Sequence, residues 1–287
     1  MSLYYVVKHR LKILRWLARR ARVGWRYGME NLEAAPVVLG NSIPKSGSHL
    51  IIQVLHGLTK LGPFVDTGFF PVNRWEDNRK LPPEDILRNI KAMRPGDIGY
   101  GYVHCHEPYL SALTGPERAT VFVYRDPRDV VVSAMNYATY MNPKHGLHDY
   151  FNQSLDSDEE RINAIIQGIP EPGIDYSSIR TRYDHYTDWL TQPEVLCLRF
   201  EDLILNRDPT LHRLVDYLKS RGFRLSISDE EAVLVLKAGI EPEKSGTFRK
   251  GQPGGWREAF SETNKEAFKQ TTGDLLIQLG YESDRNW

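Results

Sequence analysis

A short turn of small and charged residues follows the first long apolar run of the chain. The stretch LGNSIPKSGSHLI, residues 39–51, is an apolar run, the pentapeptide PKSGS and a second apolar run. A strand that continues through such a turn into a helix directs backbone N–H groups and the positive end of the helix dipole at one point. An anion fits there, and Lys45 adds a positive charge. A purely structural turn stays an alternative, because the glycine spacing of the nucleoside-triphosphate loop G-x-x-x-x-G-K-[ST] is absent.

A second segment, VFVYRDPRDVVVSAMNY, carries another potential anion site. Arg125 stands at the end of an apolar run, and Ser133 follows eight residues later, about two helical turns further on. An arginine can hold a phosphate with paired N–H groups, and a helix hydroxyl adds a neutral donor. The alternative is a surface ion pair between Arg125 and Asp126 or Asp129.

A third cluster lies in the glycine-rich stretch TFRKGQPGGW, residues 247–256. Arg249 and Lys250 supply two positive charges, and Gly251 follows with an unhindered backbone N–H. Such a loop can hold a phosphate group. A solvated charged loop is the alternative interpretation.

Two histidines in GYVHCHEPY are candidates for acid–base chemistry. His104 and His106 are two residues apart, so in a strand they would face the same side. A free imidazole has a pKa of about 6.5, which leaves a neutral, proton-accepting fraction at physiological pH. A core histidine and a His-Cys-His metal site are the alternatives. The metal site is disfavoured, because neighbouring strand residues cannot all point at one ion.

These residues must be held by strands and helices that alternate along the chain. Four apolar segments predict strands and four periodic segments predict helices. The predicted strands cover residues 36–43, 98–105, 119–126 and 194–203, and the predicted helices cover residues 46–61, 127–140, 179–190 and 209–221. Asp126 and Asp208 are the expected N-caps of the second and the last helix. This order predicts an α/β fold in which helices cover both faces of a mostly parallel sheet.

Length and composition favour one globular domain. The 287 residues are 41% hydrophobic and 26% charged, which disfavours disorder and fibrous classes. The two cysteines, Cys105 and Cys197, make no disulfide or metal-binding spacing, and this favours a reducing, cytoplasmic compartment.

The first 28 residues form a separate electrostatic unit. They contain eight Lys or Arg residues and no acid, although the formal net charge of the chain is zero. Val7, Leu11, Leu14, Ala18, Ala21 and Trp25 recur at spacings of four and three. This pattern predicts a basic amphipathic helix, interrupted too often by charge to span a bilayer. Two interpretations are open. The helix binds an anionic lipid surface or a partner, or it packs against its own domain, residues 29–287.

Three anion-binding clusters in this order resemble the sulfotransferase family, whose donor is 3′-phosphoadenosine-5′-phosphosulfate (PAPS). The stretch IPKSGSHL at 43–50 resembles the family's Y-P-K-S-G-T-T-W. Arg125 with Ser133 resembles its 3′-phosphate motif, and Arg249-Lys250-Gly251 its R-K-G motif. The resemblance implies a P-loop-like three-layer α/β/α fold.

The resemblance also assigns roles to single residues. It makes His106 the catalytic base, since His104-Cys105-His106-Glu107-Pro108 is similar to the family's K-x-H-x-P. It also implies that Lys45 stabilises the negative charge on the bridging oxygen of the leaving group. The donor-binding residues that it implies are Lys45, Ser46, Gly47, Ser48, His49, Leu50, Arg125, Ser133, Phe200, Arg249, Lys250 and Gly251. No metal is implied. The product would be adenosine 3′,5′-bisphosphate (PAP).

Some positions depart from the family pattern, and the acceptor is open. Ile43, His49 and Leu50 replace an aromatic, a threonine and a tryptophan, while Phe200 replaces the tyrosine of Y-E-D. We expect a small-molecule acceptor with a hydroxyl or amine, such as a specialised metabolite, and no nucleic acid. A P-loop-type kinase and a non-catalytic nucleotide-binding or membrane-docking module are the rival interpretations.

Overall fold

The centre of the protein is a parallel sheet. The computed structural model describes residues 3–68, 71–75, 79–241, 243 and 251–287, with side chains from Arg10 onward. Within these residues the strands are β1 (Val37–Ser42), β2 (Val65–Asp66), β3 (Asp97–Gly101), β4 (Arg118–Tyr124) and β5 (Val195–Arg199). Their spatial order is β2-β3-β1-β4-β5, and each adjacent pair is parallel. The carboxyl ends of β1, β3, β4 and β5 therefore meet at one edge, where the polar segments of the sequence begin.

Helices connect the strands. Those within the described residues are α1 (Leu3–Tyr27), α2 (Met29–Ala34), α3 (Ser48–Leu61), α4 (Pro83–Ala92), α5 (Tyr109–Leu113), α6 (Pro127–Asn136), α7 (His148–Gln153), α8 (Asp158–Gln167), α9 (Ile179–Asp184), α10 (Phe200–Leu205), α11 (Arg207–Ser220), α12 (Asp229–Ala238), α13 (Trp256–Ala259), α14 (Glu262–Thr272) and α15 (Leu275–Gln278). A π-helical turn, Tyr137–Met141, follows α6, and a 3₁₀ helix covers Thr187–Thr191.

Alternate residues of the strands serve two separate cores. Val38 and Val121 belong to a core with side chains of α3, α11 and α12. Their neighbours Leu39 and Phe122 belong to another core, with side chains of α6, α8 and α14. Because successive strand residues point to opposite faces, the sheet lies between two helical layers. This confirms the three-layer α/β/α fold.

The structure differs from the predicted elements at a few places. The predicted strand at 194–203 ends at Arg199, and α10 begins at Phe200. Asp126 caps α6 as predicted, since its side chain accepts a hydrogen bond from the Arg128 N–H. The prediction for Asp208 is wrong, because α11 begins at Arg207 and Asp208 instead pairs with Lys237 at 2.9 Å.

Helix α1 lies against the edge of the sheet next to β2 and β3. The indole N–H of Trp16 and the guanidinium of Arg20 both donate to the Asp97 carboxylate, at 3.0 and 2.8 Å. Arg19 donates to the backbone oxygen of Asp66 at 2.9 Å. No helix among the described residues is both long enough and apolar enough to cross a membrane. The division into residues 1–28 and a domain at 29–287 stays a prediction.

Candidate active site

The loop between β1 and α3 has the backbone geometry of an anion-binding turn. Lys45 has a φ of 72° and Gly47 a φ of 95°, both in the left-handed region. Gly47 precedes α3, and its oxygen accepts hydrogen bonds from the N–H groups of Leu50 and Ile51. The N–H groups of a first helical turn have no partner inside the helix. They and the helix dipole can stabilise an anion held by this loop.

Gly47 brings this loop into contact with the end of β5. A Cβ atom at Gly47 would lie 2.5 Å from Cδ2 of Phe200, so this position accepts no side chain. The ring of Phe200 in turn lies under the guanidinium of Arg125, whose central carbon is 4.3 Å from the ring centroid. Three segments that are far apart in the sequence therefore converge around the Phe200 ring.

Arg125 projects into the cleft beside this ring. Its side chain is 13% exposed and lies 3.4 Å from the Asp129 carboxylate. The ion pair with Asp129, considered above as an alternative to phosphate binding, is therefore formed, but it is largely buried and does not lie on the surface. The Nε atom of Arg125 is buried and has no hydrogen-bond partner among the described residues. Such a donor is costly to leave unpaired. Ser133 lines the same cleft. Both residues fit a bound phosphate group.

Asp129 joins helix α6 to residues 251–256, the described part of the glycine-rich stretch that contains the third predicted cluster. Its carboxylate accepts hydrogen bonds from the backbone N–H groups of Gly254 at 2.8 Å and Trp256 at 3.0 Å. Gly251, with a φ of 61°, lies in this segment and lines the cleft. Arg249 and Lys250 lie outside the described residues, so their predicted contacts stay predictions.

We expect Asp129→Asn to destabilise the fold by about 3 kcal/mol, because the amide cannot keep both hydrogen bonds and the pairing with Arg125. Urea denaturation measures the free energy of unfolding. The matched control is Asp184→Asn, since Asp184 is 46% exposed and paired with Arg180; such exposed pairs contribute about 0.5 kcal/mol. Equal, small losses in both variants would contradict the anchoring role.

Lys45 occupies a partly buried position above the loop. Its Nζ lies 3.9 Å from the ring centroid of Tyr137. Burial, together with the charge of Arg125, lowers the pKa of Lys45 to about 8. Burial also lowers the pKa of His49, and the charge of Lys45 adds to this effect. The positive charges of Lys45 and Arg125 repel each other, which favours the binding of an anion between them.

A cleft of about 1370 Å³ contains these groups. Most of the predicted donor-binding residues that the structure describes line it: Lys45, Gly47, Ser48, His49, Leu50, Arg125, Ser133, Phe200 and Gly251. Ser46 is fully buried instead and is not among the described residues that line the cleft. The cleft spans the carboxyl ends of the strands, as ligand sites in parallel sheets commonly do.

The two candidate bases occupy different positions. His104 lines the cleft, whereas His106 is exposed and is not among the described residues that line it. The two ring centroids are 6.2 Å apart. Burial, with the nearby charges of His185 and Lys80, lowers the pKa of His104 to about 4. His104 is thus neutral at physiological pH.

His106 has one ring nitrogen in a defined hydrogen bond. Its Nδ1 lies 2.7 Å from the backbone oxygen of Glu107. Because a carbonyl only accepts, the neutral ring must carry its proton on Nδ1, which leaves Nε2 able to accept a proton. The assignment of His106 as the base stays a prediction.

Some cleft residues were not singled out by sequence reasoning. Arg182 and His185 lie in a segment predicted as one continuous helix, yet α9 ends at Asp184 and both side chains line the cleft. The ring of His185 stacks on that of His104 with centroids 4.5 Å apart. No spacing signal in the sequence predicts this stacking. Among the described residues, no group of three or more His, Cys, Asp or Glu could hold a metal ion.

The three-layer fold, with the Lys45 turn between β1 and α3 at the carboxyl ends of the strands, defines an α/β protein of the P-loop-like class. The chain belongs to the sulfotransferase family: the family model described as a sulfotransferase domain matches residues 104–280. This match includes His106, Arg125, Ser133 and Phe200, and it begins after the Lys45 loop. The chain is 20% identical to sulfotransferase 2A6 of Mus musculus over an alignment of 256 residues, and the match covers 82% of this chain and 82% of that protein.

Two solved structures share the fold. One is mouse sulfotransferase SULT7A1 complexed with PAP, with a TM-score of 0.60 and 14% identity over 88% of this chain and 90% of that chain. The other is retinol dehydratase in complex with androsterone and PAP, with a TM-score of 0.52 and 17% identity over 86% and 83%. At these identities the likeness supports the fold alone.

Proposed function

We propose that this protein transfers a sulfuryl group from PAPS to a hydroxyl or amine of a small-molecule acceptor by in-line displacement. The observation that carries the proposal is the convergence of the Lys45 loop, Phe200 and Arg125 in one cleft, where the buried Nε of Arg125 has no hydrogen-bond partner among the described residues. The loop and Lys45 would hold the 5′-phosphosulfate, Arg125 and Ser133 the 3′-phosphate, and Phe200 the adenine.

The chemistry of this site is mainly electrostatic. Lys45 and the N–H groups at the start of α3 would stabilise the negative charge that grows on the bridging oxygen of the leaving group. His106, whose ring centroid is 6.2 Å from that of the cleft residue His104, would take the proton of the acceptor through Nε2. By analogy with phosphoryl transfer, positioning of the attacking and leaving oxygens in line supplies much of the remaining rate.

The experiment that tests this function is a transfer assay with ³⁵S-labelled PAPS and a panel of phenols, alcohols and amines. A labelled product supports the proposal. Product formation from γ-³²P-ATP with Mg²⁺ instead would identify a kinase. Binding of PAP without transfer to any acceptor would favour a non-catalytic module.

Donor binding is expected to weaken as the pH rises through about 8. Only the protonated form of Lys45 attracts the anionic donor, and its pKa in the free protein is about 8. At pH 9 about one tenth of this amine is protonated, so the affinity for PAP should fall by up to about tenfold between pH 7 and 9. Isothermal titration calorimetry measures the fall. Lys45→Met should remove this pH dependence; an unchanged profile would contradict the assignment.

The charge of the cleft favours an acceptor that carries an anionic group. Besides Lys45 and Arg125, the basic residues that line it are Arg74, Arg79, Lys80, Lys144, Arg182 and Arg207. The acidic lining residues in the described part of the chain are Asp129, Asp175 and Glu258. Asp129 is already engaged with Gly254, Trp256 and Arg125. Clefts lined by one sign of charge concentrate ligands of the opposite sign.

We therefore expect 4-hydroxybenzoate to be a better acceptor than phenol, with the difference carried in part by Lys80, whose charge acts on His104. Lys80→Met should raise the KM for 4-hydroxybenzoate by about fivefold and leave that for phenol unchanged. Initial rates measure both, and Lys60→Met, an exposed change on α3, is the control. A preference for phenol, with no effect of Lys80→Met, would contradict the anionic acceptor but not sulfuryl transfer.

A further inference from the structure

The side of helix α1 that faces away from the domain carries an apolar strip. Leu11, Leu14 and Trp25 are 47, 61 and 89% exposed, and Ala18 and Ala21 are exposed between them. At about 100° per residue these five residues fall within an arc of about 80°. Apolar residues arranged in this way usually face a core, but here they face outward.

Polar contacts fix this orientation. Trp16 and Arg20 lie on the opposite side of α1, and both donate hydrogen bonds to Asp97. Arg20 is 9% exposed and also donates to the backbone oxygen of Pro95 at 2.8 Å. Rotation of the helix to bury the apolar strip would leave the carboxylate of Asp97, which is 1% exposed, without these partners.

Positive charge borders the apolar strip. Arg15, Arg22 and Arg26 are exposed and occupy the adjacent arc of the helix, about 20° to 60° beyond Leu11. Residues 1–28 contain no Asp or Glu. A second copy of this helix would bring only like charges to the strip, whereas a surface of anionic lipid offers both apolar chains and complementary charge.

We propose that α1 is an interfacial helix that binds an anionic membrane surface, with Leu11, Leu14 and Trp25 inserted among the lipid headgroups. Arg15, Arg22 and Arg26 then contact lipid phosphates. The remaining side, with Trp16 and Arg20, keeps the domain attached. This inference rests on α1 alone and is independent of the proposed transfer reaction.

The test is co-sedimentation of the full chain with vesicles of phosphatidylcholine alone or mixed with phosphatidylserine, at low and high salt. We expect binding to be at least about tenfold stronger to the anionic vesicles and to weaken as salt increases. Leu14→Asn with Trp25→Asn should reduce it by about tenfold or more. The matched control is Leu234→Asn, an equally exposed leucine of α12, which should bind like the wild type.

Three outcomes would overturn the proposal. Failure to bind either vesicle would exclude the membrane surface. Retained binding in the Leu14→Asn, Trp25→Asn variant, with loss in Arg15→Gln, Arg22→Gln, would indicate attraction to any polyanion without insertion. A dimer in analytical ultracentrifugation that this apolar-strip variant dissociates would identify a second copy as the occupant. The melting temperature of each variant establishes that it is folded.

Discussion

Lys45→Met is expected to lower kcat for sulfuryl transfer by a factor of about 10² to 10³, because one preorganised charge at the leaving group is lost. Methionine keeps much of the length of the side chain and its contact with the Tyr137 ring, but it removes the positive charge. The variant should also bind PAP more weakly. Initial rates with labelled donor, and calorimetry with PAP, separate the two effects.

The control for this variant is Lys60→Met on α3, the helix that follows the Lys45 loop, where the side chain is exposed. We expect its kcat and its melting temperature to match those of the wild type. A kcat for Lys45→Met within about threefold of the wild type would contradict the role of this charge at the leaving group, since removal of such a donor costs far more.

His106→Asn is expected to lower kcat by a factor of about 10² to 10⁴, because a positioned base contributes rate enhancement of this size. Asparagine can still donate a hydrogen bond toward the Glu107 oxygen, so the backbone at this position should be preserved. PAP binding should be unchanged, which distinguishes loss of the base from loss of the site.

Two further variants sharpen this test. His56→Asn removes an exposed imidazole that pairs with Asp66, and it should have no effect on kcat. His104→Asn should act mainly on the KM of the acceptor, since His104 lines the cleft and its pKa of about 4 makes it a weak base. Loss of turnover in His104→Asn, with normal turnover in His106→Asn, would assign the base to His104.

The sheet and its loop follow from local sequence patterns. The apolar run at 36–43 contains β1, the run at 119–126 covers all of β4 but its first residue, and Asp126 caps α6 as its position before Pro127 predicts. The Lys45 turn lies between β1 and α3, as expected from its pentapeptide. These features are decided by residues close together in the chain, where strand pattern and capping chemistry apply.

Contacts between distant segments were beyond such patterns. The hydrogen bonds from the N–H groups of Gly254 and Trp256 to the Asp129 carboxylate join positions more than a hundred residues apart. Strand periodicity placed His104 and His106 on one face, but β3 ends at Gly101, before both of them. Period-two alternation does not apply beyond the end of a strand, so one imidazole lines the cleft and the other is exposed.

The orientation of α1 illustrates the same limit. Its periodicity predicts an amphipathic helix, and the helix is present. Its docking depends on the pairing of Arg20 with Asp97, which lies 77 residues away. A helical pattern identifies the apolar face, but it does not indicate whether that face meets the domain or another surface.

The most direct test of the central claim, a donor site for PAPS in this cleft, is isothermal titration calorimetry with PAP, 5′-AMP and Mg-ATP. We predict that PAP binds at one site, that 5′-AMP, which lacks the 3′-phosphate, binds at least about tenfold more weakly, and that Arg125→Ala abolishes this difference. Binding of Mg-ATP without binding of PAP would contradict the account.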